Sequence, residues 1–270
     1  MSKKYTIRDI ARQAGVSVAT VSYVINHRDD QRISEETKKK VWQIINLLDY
    51  HPNSSAKSLA TSKTYNIALF MRQETSLYKR SEQVLVAQAL ASVLWSHGYH
   101  LLLQSEEGIA QIDYADAILC YDTDTDFFNH VGDNNLIPLI AIDSLTPLQI
   151  FFQICTDYNR VKAAGDERFG ENNYTYLCLA PNNAEIRKLI QSAFSSVAFV
   201  PENPSPAAGE ASDSRPFTGN ILYSQQSLAS LAGENGFCAS GSLKEKMEQV
   251  FACFELASNR VPDCEHNVFV

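Results

Sequence analysis

The run from Tyr5 to Asn26 reads as two short helices joined at a single glycine, and no other segment restricts the fold so tightly. Ile7, Ile10, Ala11 and Ala14 fall at i, i+3, i+4 and i+7, which is one face of a helix. Thr6 stands where an N-cap hydroxyl can accept a free backbone N–H. Gly15 follows where a left-handed C-cap costs glycine least. Ser17 can cap a second helix, on which Val21, Val24 and Ile25 form an inward stripe. Val18, Ala19, Ser22 and Tyr23 form an outward one. A third helix is expected from Ser34, burying Val41, Ile44, Ile45 and Leu48. Such a unit is either a plain three-helix bundle or a device that lays its second helix against the edges of DNA bases.

Charge favours the second reading. Residues 1–63 hold 11 Lys/Arg against 6 Asp/Glu, net +5, leaving 12 against 25, net −13, for the rest of the chain. A basic head suits a phosphate backbone, and an acidic body discourages non-specific adhesion. The run Lys38-Lys39-Lys40 on its own reads as a solvated helix face.

Between the third helix and residue 63 lies a small, polar, helix-compatible stretch after Pro52. Ala56 and Leu59 offer too little apolar surface to hold a helix unaided. Two readings stay open here. The stretch is a flexible linker, or it folds when two copies meet in a DNA minor groove with Leu59 wedged between base steps.

Several pieces of this head occur together in one known family. They are Thr-Ile-x-Asp-Ile-Ala at 6–11, Ala-Gly-Val-Ser-Val-Ala-Thr-Val-Ser at 14–22, Val-Ile-Asn at 24–26, Ile-Ser-x-Glu-Thr-x-x-x-Val at 33–41 and Tyr-x-Pro-Asn-x-x-Ala-Lys-x-Leu at 50–59. In order and spacing this stretch resembles the DNA-binding head of the lactose-repressor (LacI/GalR) family. The resemblance implies a helix-turn-helix head at 1–49, a hinge at 50–63 and a shortened effector and dimerisation domain at 64–270. It implies DNA contacts from Ile7, Ser17, Val18, Ala19, Thr20, Ser22, Tyr23, Asn26 and Thr37. From the hinge it adds Tyr50, Asn53, Ala56, Lys57 and Leu59. Of these, Ser17, Thr20, Ser22 and Asn26 would hold phosphates and set the register. Val18, Ala19 and Tyr23 would face the major groove, and Ala56, Lys57 and Leu59 would enter the minor groove. Tyr23 stands where many members carry Arg, so it can offer a hydroxyl or pack on a thymine methyl but cannot pair bidentately with guanine. The link from Asn26 to Ser34 is about two residues longer than the family's usual one, and its Arg28 and Arg32 read as solvated.

The body reads as α/β. Strands are expected at 66–71, 99–104, 116–121, 138–143, 174–180 and 197–200. Helices are expected at 81–98, 157–169, 185–194 and 242–257. Alternation of this kind argues for parallel sheets with helices on both faces. The helix at 81–98 is apolar on nearly every face, so a sheet covers one side and a second copy of the chain is the natural cover for the other. The resemblance implies two Rossmann-like lobes similar to a periplasmic sugar-binding protein, cut short between Gln104 and Asp116 and again after Tyr223. It also implies a small carbohydrate-like effector between the lobes, with Asp157 and Arg187 as candidate contacts. Each of these two also reads as a helix cap or surface ion-pair partner. The proline-rich run at 201–219 reads as a mobile loop.

Other functions find no support in the residues. The six cysteines lack a Cys-x-x-Cys pair, the six histidines lack metal spacing, and no phosphate-loop or nucleophile-elbow pattern occurs. Asp122-Thr-Asp-Thr-Asp126 lacks the glycine and distal glutamate of a calcium loop and reads as a polar turn. Neither an export signal nor an 18-residue apolar run is present, so a cytoplasmic protein without cofactor, metal or membrane partner is expected. The expected function is a homodimeric transcriptional regulator, most simply a repressor, bound to a palindromic double-stranded DNA operator. Two alternatives stand beside it: an effector-blind DNA binder whose body only dimerises, and a sugar-binding module with a vestigial head.

Overall fold

A computed structural model describes residues 5–25, 31–50, 61, 63–105, 111–200, 217, 219–239 and 241–270. The chain forms two units, Met1–Ser62 and Lys63–Val270. Asn26, Asn53, Ala56, Lys57, Leu59 and Arg28 lie outside the described residues, as does nearly all of the run at 201–219.

The described residues of the first unit include α1 (Ile7–Ala14), α2 (Val18–Ile25) and α3 (Glu35–Leu47). Ile10, Ala11, Ala14, Val21, Val24, Val41 and Ile45 make its core. Gly15 closes α1 in the left-handed conformation at φ 68°. Thr6 is the N-cap of α1, as expected, and Asp9 completes the cap. The Thr6 hydroxyl donates to Asp9 Oδ2 at 2.8 Å, and the same oxygen accepts the Thr6 backbone N–H at 3.0 Å. A carboxylate in the first turn is the stronger acceptor and faces the positive end of the helix.

The second unit holds two all-parallel sheets. Sheet A is built from β1 (Asn66–Met71), β2 (His100–Gln104), β3 (Ala117–Tyr121), β4 (Leu139–Ile142), β5 (Phe152–Cys155) and a C-terminal strand, β10 (Asn267–Phe269). Its order is β10-β5-β4-β3-β1-β2. Sheet B, in the order β7-β6-β8-β9, comprises β6 (Thr175–Leu179), β7 (Val197–Val200), β8 (Ile221–Tyr223) and β9 (Gly236–Cys238). The two-residue period of a strand sorts the apolar side chains of sheet A. Ile67 and Leu69 face α4 (Leu77–Ser96) and α9 (Leu243–Ser258), whereas Ala68 and Phe70 face α5 (Thr125–Asn134). On sheet B, α6 (Tyr158–Phe169) and α7 (Ala184–Ala193) cover Tyr176, Cys178 and Leu222. A short α8 (Ala229–Ala232) leads into β9. The chain passes from sheet A to sheet B after β5 and returns through α9 to set β10 beside β5.

The α/β class with parallel sheets is as expected. Two elements depart from expectation. Helix α4 begins at Leu77, where Ser76 caps it, and ends before Gly98 at φ 80°. Asp122–Asp126 is more than a turn: the Asp124 carboxylate accepts from Phe127 N at 2.8 Å and starts α5.

Gly165 sets how closely α6 lies on sheet B. A Cβ there would stand 2.6 Å from Leu222 Cδ2 and 2.8 Å from Tyr174 Cζ. Alanine gains about 1 kcal/mol of helix propensity over glycine. Overpacking a filled core costs about 1–3 kcal/mol. Gly165→Ala is therefore expected to lower the melting temperature by calorimetry. An unchanged or raised value would mean that α6 and sheet B separate freely.

Candidate nucleic-acid interface and ligand cleft

In the head, α2 has two distinct sides. Val21 and Val24 are buried, at 0% and 4% exposure. Ser17, Val18 and Ala19 are exposed, and Thr20, Ser22 and Tyr23 are half-buried. Ser17 Oγ accepts from Thr20 N at 3.0 Å and shares a hydrogen bond with Thr20 Oγ1 at 2.8 Å. The same arrangement recurs at α3, where Ser34 Oγ accepts from Thr37 N at 3.2 Å and lies 2.9 Å from Thr37 Oγ1. Both helices thus start with a pair of hydroxyls beside free backbone N–H groups, a configuration suited to anions. Ile7 and Tyr50 are half-buried and pack on the core of the head. Burial raises the pKa of the Tyr50 phenol.

In the body, a cavity of about 90 Å³ opens between the two sheets. One water needs roughly 10–15 Å³ by the same measure, so the space takes several waters or one small molecule. Its polar lining comes largely from residues that follow the carboxyl ends of strands, among them Asp122 after β3, Asp143 after β4, Thr156 after β5 and Ser224 after β8. Open α/β sheets bind ligands at these ends. Asp122 and Asp143 both hold positive φ, 48° and 50°, which aspartate tolerates better than most residues.

Two networks organise this lining. Lys79 on α4 donates to Glu74 Oε1 at 3.2 Å and to Asn182 Oδ1 at 2.9 Å. Asn182, just beyond β6, returns its N–H to Asp122 Oδ1 at 2.9 Å and its amide to Glu74 Oε1 at 2.6 Å, so one side chain ties the two lobes. Asn183 adds bonds to the carbonyls of Thr123 and Leu145 while capping α7. In the second network, Lys246 on α9 donates to Asp143 Oδ1 and to Thr156 Oγ1, the latter at 3.0 Å.

Asp157 and Arg187 do not line this cavity. Asp157 is the N-cap of α6 and accepts from Asn159 N and Arg160 N at 3.0 and 3.1 Å. Arg187 donates to the Pro181 carbonyl at 3.0 Å and lies over the Phe199 ring. Their residue types suited a sugar, but local backbone groups claim both. The cleft residues Lys79, Asp122, Asp143, Asn182 and Lys246 were missed. The available signal was a polar residue directly after an apolar strand, as in Cys-Tyr-Asp122 and Ala-Ile-Asp143.

Burial raises the Asp122 carboxyl from 3.8 to about 7, against the pull of Lys79. Its ionisation in the folded protein therefore costs stability, with no penalty below the unfolded value and the full penalty above the folded one. Asn at this position keeps an acceptor for Asn182 N–H and tolerates the positive φ. The melting temperature of Asp122→Asn relative to the parent should rise between about pH 4 and about pH 7 and level off above. A difference independent of pH would show that Asp122 is solvated.

Comparison with known proteins agrees with this geometry. Residues 6–53 match the family model described as bacterial regulatory proteins, lacI family. The catabolite control protein A of Streptococcus mutans is 35% identical over 102 residues, covering 38% of this chain and 29% of that one. The HTH-type transcriptional repressor PurR of Photobacterium profundum is 31% identical over 150 residues, covering 51% and 43%. The chain thus matches less than half the length of these curated relatives. The Lac repressor dimer solved with operator and the anti-inducer ONPF shares the fold at TM-score 0.57 and 15% identity, over 99% of this chain and 96% of that one. These relatives are regulators rather than enzymes, and no helix among the described residues is long and apolar enough to cross a membrane. The likeness to the lacI family of bacterial regulatory proteins is thus carried by the head, residues 6–53.

Proposed function

We propose that the protein is a sequence-specific transcriptional repressor that binds a palindromic operator as a homodimer and answers to a small molecule in the cleft between its lobes. One observation carries this reading. Helix α2 is anchored by Val21 and Val24 and presents Ser17, Val18 and Ala19 outward from a basic head. Val18, Ala19 and Tyr23 read base edges in the major groove. The hydroxyl pairs Ser17–Thr20 and Ser34–Thr37 receive phosphates at the starts of α2 and α3. Ser22, Asn26 and Ile7 complete this surface. Tyr50 and Asn53 touch the backbone beside the hinge, and Ala56, Lys57 and Leu59 enter the minor groove. The working division is a head at 1–49, a hinge at 50–63 and an effector body at 64–270.

Dimerisation has its own support. Leu77, Val84 and Trp95 on α4 are 71%, 54% and 70% exposed, and Leu103 on the edge strand β2 is 62% exposed. Apolar side chains of this size on one helix and the adjoining sheet edge suit a second copy of the same face. Control follows by linkage. A ligand that prefers one lobe arrangement shifts operator affinity by its differential affinity for the two states.

Selection of duplexes from a random pool should yield an inverted repeat, and affinity for it should fall steeply with salt, by a log–log slope of about −0.9 per phosphate contacted. A pool without a repeat, or a flat salt response, would refute the reading. Trp95→Glu should shift the chain towards monomer in sedimentation and weaken operator binding. A dimer unaffected by this change would place the interface elsewhere.

A further inference from the structure

The charges around the cleft do not balance. Lys79 and Lys246 line it, and each is already engaged: Lys79 with Glu74 at 3.2 Å and Asp122 at 3.9 Å, and Lys246 with Asp143. Against these two cations stand four carboxylates, Glu74, Glu82, Asp122 and Asp143. Glu82 is the one with no cation in contact among the described residues. It is 6% exposed, it lines the cavity from α4, and its Oε2 accepts the Ser227 N–H at 3.2 Å. A buried carboxylate costs free energy unless its oxygens are satisfied. Tyr121, Tyr158 and Tyr176 also line the cavity.

We infer that the cleft takes a small ligand carrying a protonated amine, which pairs with the Glu82 carboxylate, and that it rejects phosphorylated and carboxylated ligands. This deepens the proposed effector role and rests on it. An anion would have to displace a carboxylate from one of the two lysines. An ammonium group completes a pair instead. Burial raises the Glu82 carboxyl, and a cation beside it reverses that shift.

The test is a thermal-shift and calorimetric screen of the full chain with matched probes. Glucosamine and putrescine are the amines, glucose and butane-1,4-diol the neutral counterparts, and glucose 6-phosphate and glucuronate the anions. An amine is expected to raise the melting temperature in proportion to its concentration over its Kd. Glucosamine alone, or putrescine alone, tells an amino sugar from an aliphatic amine. In Glu82→Gln, which keeps an acceptor for Ser227 N–H, amine affinity should fall at least about tenfold, as for loss of a hydrogen bond to a charged group. Glu248→Gln, on the outer side of α9, should leave it unchanged. Binding of an anion or a neutral probe in preference to the amines overturns the charge selection and leaves an effector cleft in place. Amine binding that survives Glu82→Gln overturns the assignment to Glu82. No response to any of the six overturns the effector reading with it and leaves a body that only dimerises.

Discussion

Burial of Val21 and Val24 is the constraint on which the head depends. Helix α2 has eight residues, too few to persist in water by itself. It exists because these two side chains lock against Ile10, Ala14, Val41 and Ile45. The same locking sets its rotation, so Val18 and Ala19 have nowhere to point but outward. A binding surface on so small a unit needs no loop to shape it. Its precision comes from a few methyl groups on the opposite side of one helix.

The body follows another rule. Parallel strands end together, and the first polar residue after each apolar run arrives at a shared rim. Asp122, Asp143, Thr156 and Ser224 reach the cleft in this way. Because the rim is half-buried, the carboxylates there are costly unless paired. Asn182 and the two lysines supply most of that pairing and hold the lobes to one another. The polar groups that line the cleft therefore also hold the two lobes together.

Much of this was legible in the residues, unevenly. The head was readable because its signals are local: Gly15 at a left-handed turn, valines at helical spacing, Ser17 and Ser34 ahead of their helices. Helix α6 and strand β1 were readable for similar reasons. Short elements were not. Phe152–Cys155 is a four-residue strand set between β4 and the distant β10, Asn267–Phe269 is a strand by pairing with β5 far back in the chain, and α5 is a polar segment, Thr125–Asn134, held by its cap and by Phe128 and Val131. The cleft was the least legible part. Lys79 and Asn182 are 103 positions apart, and nothing local announces that they meet. Asp157 shows the converse, since its type suggested a ligand contact while its position made it a helix cap.

The central claim is that the outward side of α2 meets DNA. Hydrogen exchange of the full chain, followed by mass spectrometry with and without a selected operator duplex, addresses it directly. Slowed exchange is predicted in peptides spanning Ser17–Ile25 and the start of α3. Protection confined to the body, with residues 17–25 unchanged, would contradict it.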